Sequence, residues 1–138
     1  MTETSYMVEP IGFIQSNLTT RKDAPHQATE GGPDAWIEVN SMFAEGLEGI
    51  AAGSEIIVIT WLHKTNRNIF KLHPRGNRSM PLTGVFNTRS PDRPNPIGLH
   101  RVKVLEISGN RLKVGPIEAI DKTPVIDIKP VLSKSTDS

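Results

Sequence analysis

The residues with the clearest chemical potential lie in one loop, RSPDRPNPIG (89–98), between two segments that read as β-strands. Three prolines restrict its backbone, so the loop loses little conformational entropy when it binds a ligand. Arg89 and Arg93 can each present a planar guanidinium group to a carboxylate or a phosphate. The loop therefore predicts an anion-binding site. The alternative is a stiff connection in which the arginines pair with Asp92 or Glu30.

The distribution of charge along the chain points to the same kind of ligand. Residues 1–60 carry two Lys/Arg against nine Asp/Glu, whereas residues 61–103 carry nine Lys/Arg against one Asp. A basic segment of this kind is typical of proteins that bind anionic ligands or RNA. Four basic residues in the long loop 64–81 are candidates for phosphate contacts: Arg67, Lys71, Arg75 and Arg78. Alternatively, the acidic and basic thirds neutralise each other and the loop is simply solvated.

Residue types that are missing exclude other chemistries. The chain has no cysteine, which rules out disulfides, thiolate metal sites and cysteine nucleophiles. His63, His73 and His100 show no ligand spacing, so no metal is expected. The first ten residues do not resemble a signal peptide, and the longest apolar run, 56–62, is too short for a membrane span. We expect a cytoplasmic protein that holds no metal and does not bind membranes.

The elements that must position these residues are mostly strands. β-branched and alternating segments predict seven of them, at 8–17, 35–39, 54–63, 82–88, 97–107, 111–120 and 125–130. Gly12, inside the first strand, indicates a bulge. Residues 108–110, SGN, predict a hairpin turn, and Ser41 predicts the N-cap of one helix over 41–53.

The number of strands relative to the chain length favours an all-β fold. We expect a small, mostly antiparallel β-barrel of about seven strands, with one short helix and long functional loops at 18–34 and 64–81. Closure into a barrel removes exposed strand edges. The predicted organisation is a single domain over 1–132 followed by a disordered tail at 133–138.

Four segments, in the same order, resemble the TrmO family, also called the TsaA-like or YaeB-like domain. GVFNTRSPDRPNPIG (84–98) is similar to the family's GVF-x-TRS-x-x-RPNPIG block. GFIQSN with RKDAPHQ (12–27) resembles its opening strand and turn, and EIIVITWLHK (55–64) its central strand ending in a His-Gln pair. IEAIDKTPVIDIKPVL (117–132) resembles its D-x-x-DGTP-x-x-DIKP segment. Together the similarity covers residues 8–132.

The resemblance implies a β-barrel methyltransferase that uses S-adenosyl-L-methionine. Family members act as homodimers on N6 of threonylcarbamoyladenosine in tRNA. No G-x-G-x-x-G motif follows a strand here, which agrees with a class other than the Rossmann methyltransferases. Carried over by position, the cofactor pocket would comprise Pro25, His26, Gln27, His63, Lys64, Arg89, Leu99, Asp121, Lys122, Thr123 and Pro124.

Individual roles within this pocket follow from side-chain chemistry. Arg89 is our candidate for holding the methionine carboxylate, and Gln27 with backbone amides for reading the adenine edge. An amide-like N6 is a weak nucleophile, so a proton acceptor helps, and Asp121 and His63 are the candidate catalytic residues. Without the resemblance, His63 with Lys64 is equally a solvated strand end, and Asp121 a turn residue.

The chain departs from the family pattern at three points. His26 stands where the family usually has arginine, and Lys122 where it usually has glycine. Many members continue into a C-terminal region that helps to bind tRNA, whereas eight residues follow Pro130 here. Two alternatives to a tRNA methyltransferase therefore remain open. One is a methyltransferase for a small molecule, with salt-insensitive turnover. The other is a non-catalytic module that binds S-adenosylmethionine or a nucleotide.

Overall fold

The chain folds into a closed antiparallel β-barrel. The computed structural model describes residues 4–24 and 32–132. The strands in these residues are β1 Gly12–Gln15, β2 Ala35–Val39, β3 Glu55–Trp61, β4 Lys71–Leu72, β5 Thr83–Gly84, β6 Ile97–Ser108, β7 Arg111–Gly115 and β8 Pro124–Pro130. Six of them close the barrel in the order β1-β2-β7-β6-β3-β8, and β8 pairs back onto β1. The predicted barrel is confirmed, with six strands in its wall and a separate β4–β5 sheet.

Two sets of predicted residues cannot be placed in this fold. The expected tail at 133–138 and the site residues at 25–27 lie outside the described residues. Within the residues that are described, no helix is long and apolar enough to cross a membrane.

Branched apolar side chains fill the interior of the barrel. Side chains alternate along β6, so Val102 and Val104 point inward and are buried, while Arg101 and Lys103 point outward. The alternation stops after Val104, where the register against β7 shifts between Val104 and Glu106. Each fully buried Val or Ile contributes about 1.5–3 kcal/mol. The core comprises Ile14, Ala35, Ile37, Val39, Ile56, Val58, Val102, Val104, Leu112, Val114, Ile117, Ala119 and Val125.

Gly12 marks a close approach of two strands, not the predicted bulge. It pairs with Val39 in the regular register of β1 and β2. A Cβ atom at residue 12 would collide with the backbone carbonyl oxygen of Glu38. Glycine is therefore required because the neighbouring backbone occupies the side-chain position.

The predicted helix over 41–53 is shorter and tighter than expected. It is a 3₁₀ helix spanning Ser41–Leu47. Its N-cap is Asn40 rather than Ser41, and the Asn40 side chain accepts a hydrogen bond from the backbone N–H of Met42 at 3.0 Å. The helix ends at Leu47 because Glu48 takes a ψ of 128° and Gly49 a φ of 96°, both outside the helical range.

Three predicted strands are markedly shorter than expected, and the predicted hairpin is confirmed. The strand predicted over 8–17 spans only Gly12–Gln15. Only Thr83–Gly84 of the segment 82–88 is a strand, and a 3₁₀ turn follows it. The strand predicted over 111–120 ends at Gly115, and Ile117 then donates its backbone N–H to Pro33. Gly109 takes a φ of 61° in the turn between β6 and β7.

One end of the barrel collects the segments that were predicted to do chemistry. β1, β3 and β7 end there, and β2, β6 and β8 begin there. The pairs Gln15↔Trp36, Trp61↔Ile97 and Thr60↔Val125 establish this arrangement. We call it the upper end.

Candidate functional site

Arg93 closes the proline-rich loop on itself. We call residues 85–96 the proline-rich wall. The Arg93 guanidinium donates hydrogen bonds to the backbone carbonyl oxygens of Thr88 at 3.0 Å, Ser90 at 3.0 Å and Val85 at 2.8 Å. Because a charged donor makes these bonds, they are stronger than neutral ones. Arg93 is thus engaged inside the wall. Among the described residues it pairs with no carboxylate, and both of its terminal nitrogens donate to carbonyl groups of the loop.

Asp92 anchors the wall to two neighbouring segments. Its carboxylate accepts hydrogen bonds from both terminal nitrogens of Arg21, at 2.8 and 2.7 Å, and from the backbone N–H of Asn66 at 2.9 Å. The hydrogen bond from Arg21 is the main cause that lowers the pKa of Asp92, while partial burial opposes it. The carboxylate therefore stays ionised and holds the loop in place at neutral pH.

Arg67 provides a second anchor. It donates to the carbonyl oxygen of Pro94 at 2.7 Å and to Oδ1 of Asn95 at 3.2 Å. Its guanidinium also lies 5.0 Å from the centroid of the Trp61 ring. These hydrogen bonds hold the wall, and phosphate contact by Arg67 stays a prediction from the sequence.

Arg89 differs from these three residues. Its side chain is exposed, and it makes no hydrogen bond or ion pair with any residue in the described part of the chain. The backbone on either side is fixed: Thr88 N–H donates to Val85 at 3.0 Å, and Ser90 N–H donates to the Thr88 hydroxyl at 3.2 Å. The wall thus presents one uncommitted guanidinium from a stiff backbone, which suits a carboxylate or phosphate ligand.

His63 and Lys64 lie beside the proline-rich wall, just after β3. Both side chains are exposed, and the N–H of Leu62 donates to Pro96 at 2.8 Å. Partial burial and, to a lesser degree, the charge of Lys64 lower the pKa of His63. The imidazole is therefore neutral at pH 7 and able to accept a proton.

Asp121 lies on a second wall, which is held by backbone hydrogen bonds. We call residues 117–124 the Asp121 wall. The N–H of Asp121 donates to Leu18 at 2.6 Å, and the N–H of Lys122 donates to Ile14 at 2.7 Å. Oδ1 of Asp121 accepts from the N–H of Ser16 at 3.0 Å. The carboxylate is thereby oriented by the chain that follows β1.

Lys122 and Thr123 are neighbours in the same wall, but the first is exposed and the second is buried. Lys122 is exposed and takes a φ of 67°, a conformation that favours glycine. Thr123 is fully buried, and its hydroxyl donates to the carbonyl of Ile120 at 2.7 Å. The predicted contribution of Thr123 to cofactor binding would therefore be to support the wall, because its side chain has no exposed surface.

The two remaining predicted residues, Leu99 and Pro124, lie on strands of the barrel. Leu99 is on the outer face of β6, 50% exposed, and pairs with Ile59. Pro124 opens β8 opposite Phe13.

The segment 16–24 connects the two walls. It accepts the hydrogen bond of Asp121 through Leu18, and it pairs with Asp92 through Arg21. The structure therefore gathers the predicted residues after β3, on the proline-rich wall and on the Asp121 wall at the upper end.

A cleft of about 560 Å³ opens beside Asp121. Its other lining residues are ones that the sequence did not single out: Gln15, Ser16, Asn17, Pro33, Asp34, Trp36 and Lys113. The alternation in AWIEV placed Trp36 on the face opposite the core, and a large aromatic residue there was an available signal. Among the residues that the structure describes, no group of three His, Asp or Glu side chains could hold a metal ion.

Comparison with known proteins identifies relatives over nearly the whole chain. The model of the tRNA-methyltransferase O N-terminal domain matches residues 13–138. A probable S-adenosyl-L-methionine-binding protein of Methanothermobacter thermautotrophicus is 39% identical over 130 residues, which is 94% of this chain and 93% of that protein. An S-adenosyl-L-methionine-binding protein of Archaeoglobus fulgidus is 42% identical over 123 residues, covering 89% and 87% of the two chains.

Solved structures agree with these sequence matches. The crystal structure of TrmO from Pseudomonas aeruginosa superposes with a TM-score of 0.74 at 28% identity and covers 98% of this chain. A second TrmO crystal structure superposes with a TM-score of 0.76 at 29% identity and also covers 98% of this chain. This chain spans 61% and 62% of the two crystallised chains. The barrel and the family match together establish that the chain belongs to the family of the tRNA-methyltransferase O N-terminal domain.

Proposed function

We propose that the protein binds S-adenosyl-L-methionine at the upper end of the barrel and transfers its methyl group to an adenine N6 in tRNA. Family membership and the names of the relatives support this reaction class. The structural observation that carries the proposal is Arg89. Within the described residues it is the arginine of the proline-rich wall that has no partner, whereas both terminal nitrogens of Arg93 donate to carbonyl groups of the loop.

The residues at the upper end fit this cofactor. The free fork of Arg89 matches the methionine carboxylate. The cleft beside Asp121 offers amide and carboxylate groups together with an aromatic surface, which suit a nucleoside. When it is bound, the cofactor supplies an electrophilic methyl group. The protein contributes chiefly by holding the reactants in position, and the rigid walls serve that purpose.

Asp121 and His63 are our two candidates for receiving the proton that leaves the acceptor nitrogen. One oxygen of Asp121 is held by the N–H of Ser16, and the second oxygen remains for the acceptor. His63 is the other candidate, since its lowered pKa keeps the ring neutral. Loss of turnover with unchanged cofactor affinity in Asp121→Asn or His63→Gln would identify the base.

Calorimetric titration with S-adenosylmethionine tests the cofactor site. We expect Arg89→Ala to weaken binding at least tenfold, because a charge-assisted pair contributes about 1.5–3 kcal/mol. Arg101→Ala is the matched control: Arg101 is an exposed arginine on the outer face of β6, ion-paired with Glu55 at 3.0 Å. Equal affinity of the Arg89 variant and the native protein, or no binding by the native protein, would overturn the proposal.

The tRNA substrate is supported by the family and by the basic segment 61–103. Lys71, in β4, and Arg78, in the segment between β4 and β5, are both exposed. If they contact phosphates, tRNA affinity should fall steeply with salt, and Lys71→Ala should reduce the slope by about one. Turnover of a small-molecule acceptor without such salt dependence would favour the alternative substrate class.

We also propose a homodimer that forms near the β4–β5 sheet. Phe86 is 84% exposed and Phe70 66% exposed, and the two residues lie close together because the N–H of Val85 donates to Phe70 at 2.9 Å. We expect the two side chains to belong to one exposed apolar patch, which is typical of an interaction surface. Sedimentation should therefore give a dimer for the native protein and a weakened dimer for Phe86→Ser. A native monomer would contradict this. The cytoplasmic location stays a prediction from the sequence.

A further inference from the structure

Both tryptophans of the chain lie at the upper end of the barrel with an arginine over the ring, but they contact different parts of that end. Each lies at the upper end, is half-buried and has an arginine over its ring: Arg67 at 5.0 Å from Trp61, and Arg111 at 4.5 Å from Trp36. Arg67 continues to the proline-rich wall, so the Trp61 stack is part of the anchor of that wall. Trp36, in contrast, lines the cleft beside Asp121.

A chain of hydrogen bonds fixes the arginine that covers Trp36. Arg111 donates to Oε1 of Gln15 at 2.9 Å, and the Gln15 amide donates to Glu38 at 2.6 Å. Arg111 does not line the cleft, although it covers a face of the ring. The hydrogen bonds of Arg111 and Gln15 therefore hold the guanidinium over the Trp36 ring, and Trp36 itself lines the cleft.

The polar side chains that line the cleft around Trp36 include an amide, a cation and two carboxylates. Asn17 and Asp34 are exposed and have no hydrogen-bond partner among the residues that the structure describes. Lys113 adds a cation, and Asp121 adds a carboxylate whose Oδ1 is already held by Ser16. Two carboxylates disfavour a phosphate group. A nucleobase edge, in contrast, carries both donors and acceptors, and its π-face stacks on an aromatic ring.

We infer that the cleft beside Asp121 is a purine subsite, in which an adenine stacks on Trp36 and donates its exocyclic amino hydrogens to Asp34. A volume of about 560 Å³ falls within the range of small-molecule pockets. The inference rests on the proposed function, which supplies two sources of adenine: the cofactor and the acceptor nucleotide of the RNA. Both share the chemistry that the cleft would recognise.

Tryptophan fluorescence tests the subsite without any methyl transfer. The chain contains two tryptophans, so Trp61→Phe leaves Trp36 as the sole emitter, and Trp36→Phe leaves Trp61. We expect adenosine to quench the Trp61→Phe variant saturably and to leave the Trp36→Phe variant unchanged. Quenching confined to the Trp36→Phe variant, or absent from both, would overturn the subsite.

A second variant keeps the test valid if the aromatic change disturbs the fold. Asp34→Asn removes an exposed carboxylate and leaves Trp36 in place. Adenosine should bind the native protein several-fold more tightly than inosine, because inosine presents an acceptor where adenosine presents an amino group. The preference should largely disappear in Asp34→Asn. An unchanged preference would remove Asp34 from the subsite.

Calorimetry then separates the two sources of adenine. If the cofactor occupies the cleft, Trp36→Ala should bind S-adenosylhomocysteine roughly tenfold more weakly. If the acceptor occupies it, that affinity is unchanged, and tRNA binding in saturating S-adenosylhomocysteine falls by a similar factor. Unchanged affinity for both ligands would overturn the inference. Quenching by adenosine in a protein that binds no S-adenosylmethionine would retain the subsite and remove the methyltransferase proposal.

Discussion

The two walls of the upper end are held by different kinds of interaction. The proline-rich wall depends on charged side chains at partly exposed positions: Arg93 within the loop, and Arg21 with Asp92 and Arg67 between segments. The Asp121 wall depends on backbone hydrogen bonds to β1 and its continuation. Charged anchors respond to pH, salt and single substitutions, whereas backbone pairs follow from the path of the chain. A mutation or a change of pH or salt should therefore loosen the proline-rich wall before the Asp121 wall.

Arg93→Ala should break the proline-rich wall most severely. It removes the donor to three backbone carbonyls, at 2.8–3.0 Å, in a partly buried loop. We expect the free energy of unfolding to fall by about 2–3 kcal/mol, since hydrogen bonds from charged groups contribute about 1.5–3 kcal/mol and do not add fully. Urea denaturation would measure this change.

Arg93→Lys is the matched control, because it keeps the charge and loses the planar fork. We expect it to recover less than half of the lost stability. A destabilisation below about 0.5 kcal/mol in Arg93→Ala would be that of an ordinary surface position, and it would contradict the role of Arg93 as the internal clamp.

Asp92→Asn should reveal the pH and salt dependence of the same wall. Arg21 lowers the folded-state pKa of Asp92 below the unfolded value of about 4. The ion pair therefore contributes stability above about pH 4, and this contribution is lost as the pH falls through the folded-state pKa. Because the Arg21 side chain is 45% exposed, we expect only about 0.5–1 kcal/mol at pH 7 and low salt.

Unfolding curves of the native protein and the Asp92→Asn variant, across pH and salt, would test this. Their stabilities should converge at low pH and in high salt. A constant difference under all conditions would mean that Asp92 acts through packing and not through its charge.

Lys122→Gly should strengthen the Asp121 wall slightly. Lys122 takes a φ of 67°, which costs a non-glycine residue about 1 kcal/mol, and glycine relieves this strain at the expense of a more flexible unfolded chain. We expect a net gain of up to about 1 kcal/mol in thermal unfolding. Lys122→Ala retains the strained backbone and should give no gain. A gain in both variants would assign the effect to loss of the lysine charge.

The sequence predicted the barrel because alternation and β-branched residues mark its strands locally. It could not distinguish Arg89 from Arg93, since their roles depend on which carbonyl groups the folded loop turns inward. The Arg21–Asp92 pair joins residues 71 positions apart, so no local sequence pattern predicts it. The cleft escaped prediction for the same reason: Trp36, Lys113 and Asn17 come together only when the strands pair. The resemblance supplied Asp121 and Arg89, and the fold places both at the upper end.

The most direct test of the account is a crystal structure of the protein with S-adenosylhomocysteine. We predict that the ligand lies at the upper end, with its carboxylate hydrogen-bonded to the Arg89 guanidinium and the proline-rich wall unchanged. Binding elsewhere would contradict the account, for example in the groove of about 410 Å³ at the opposite end of the barrel. That groove is lined in part by Phe43, Leu47 and Ile128.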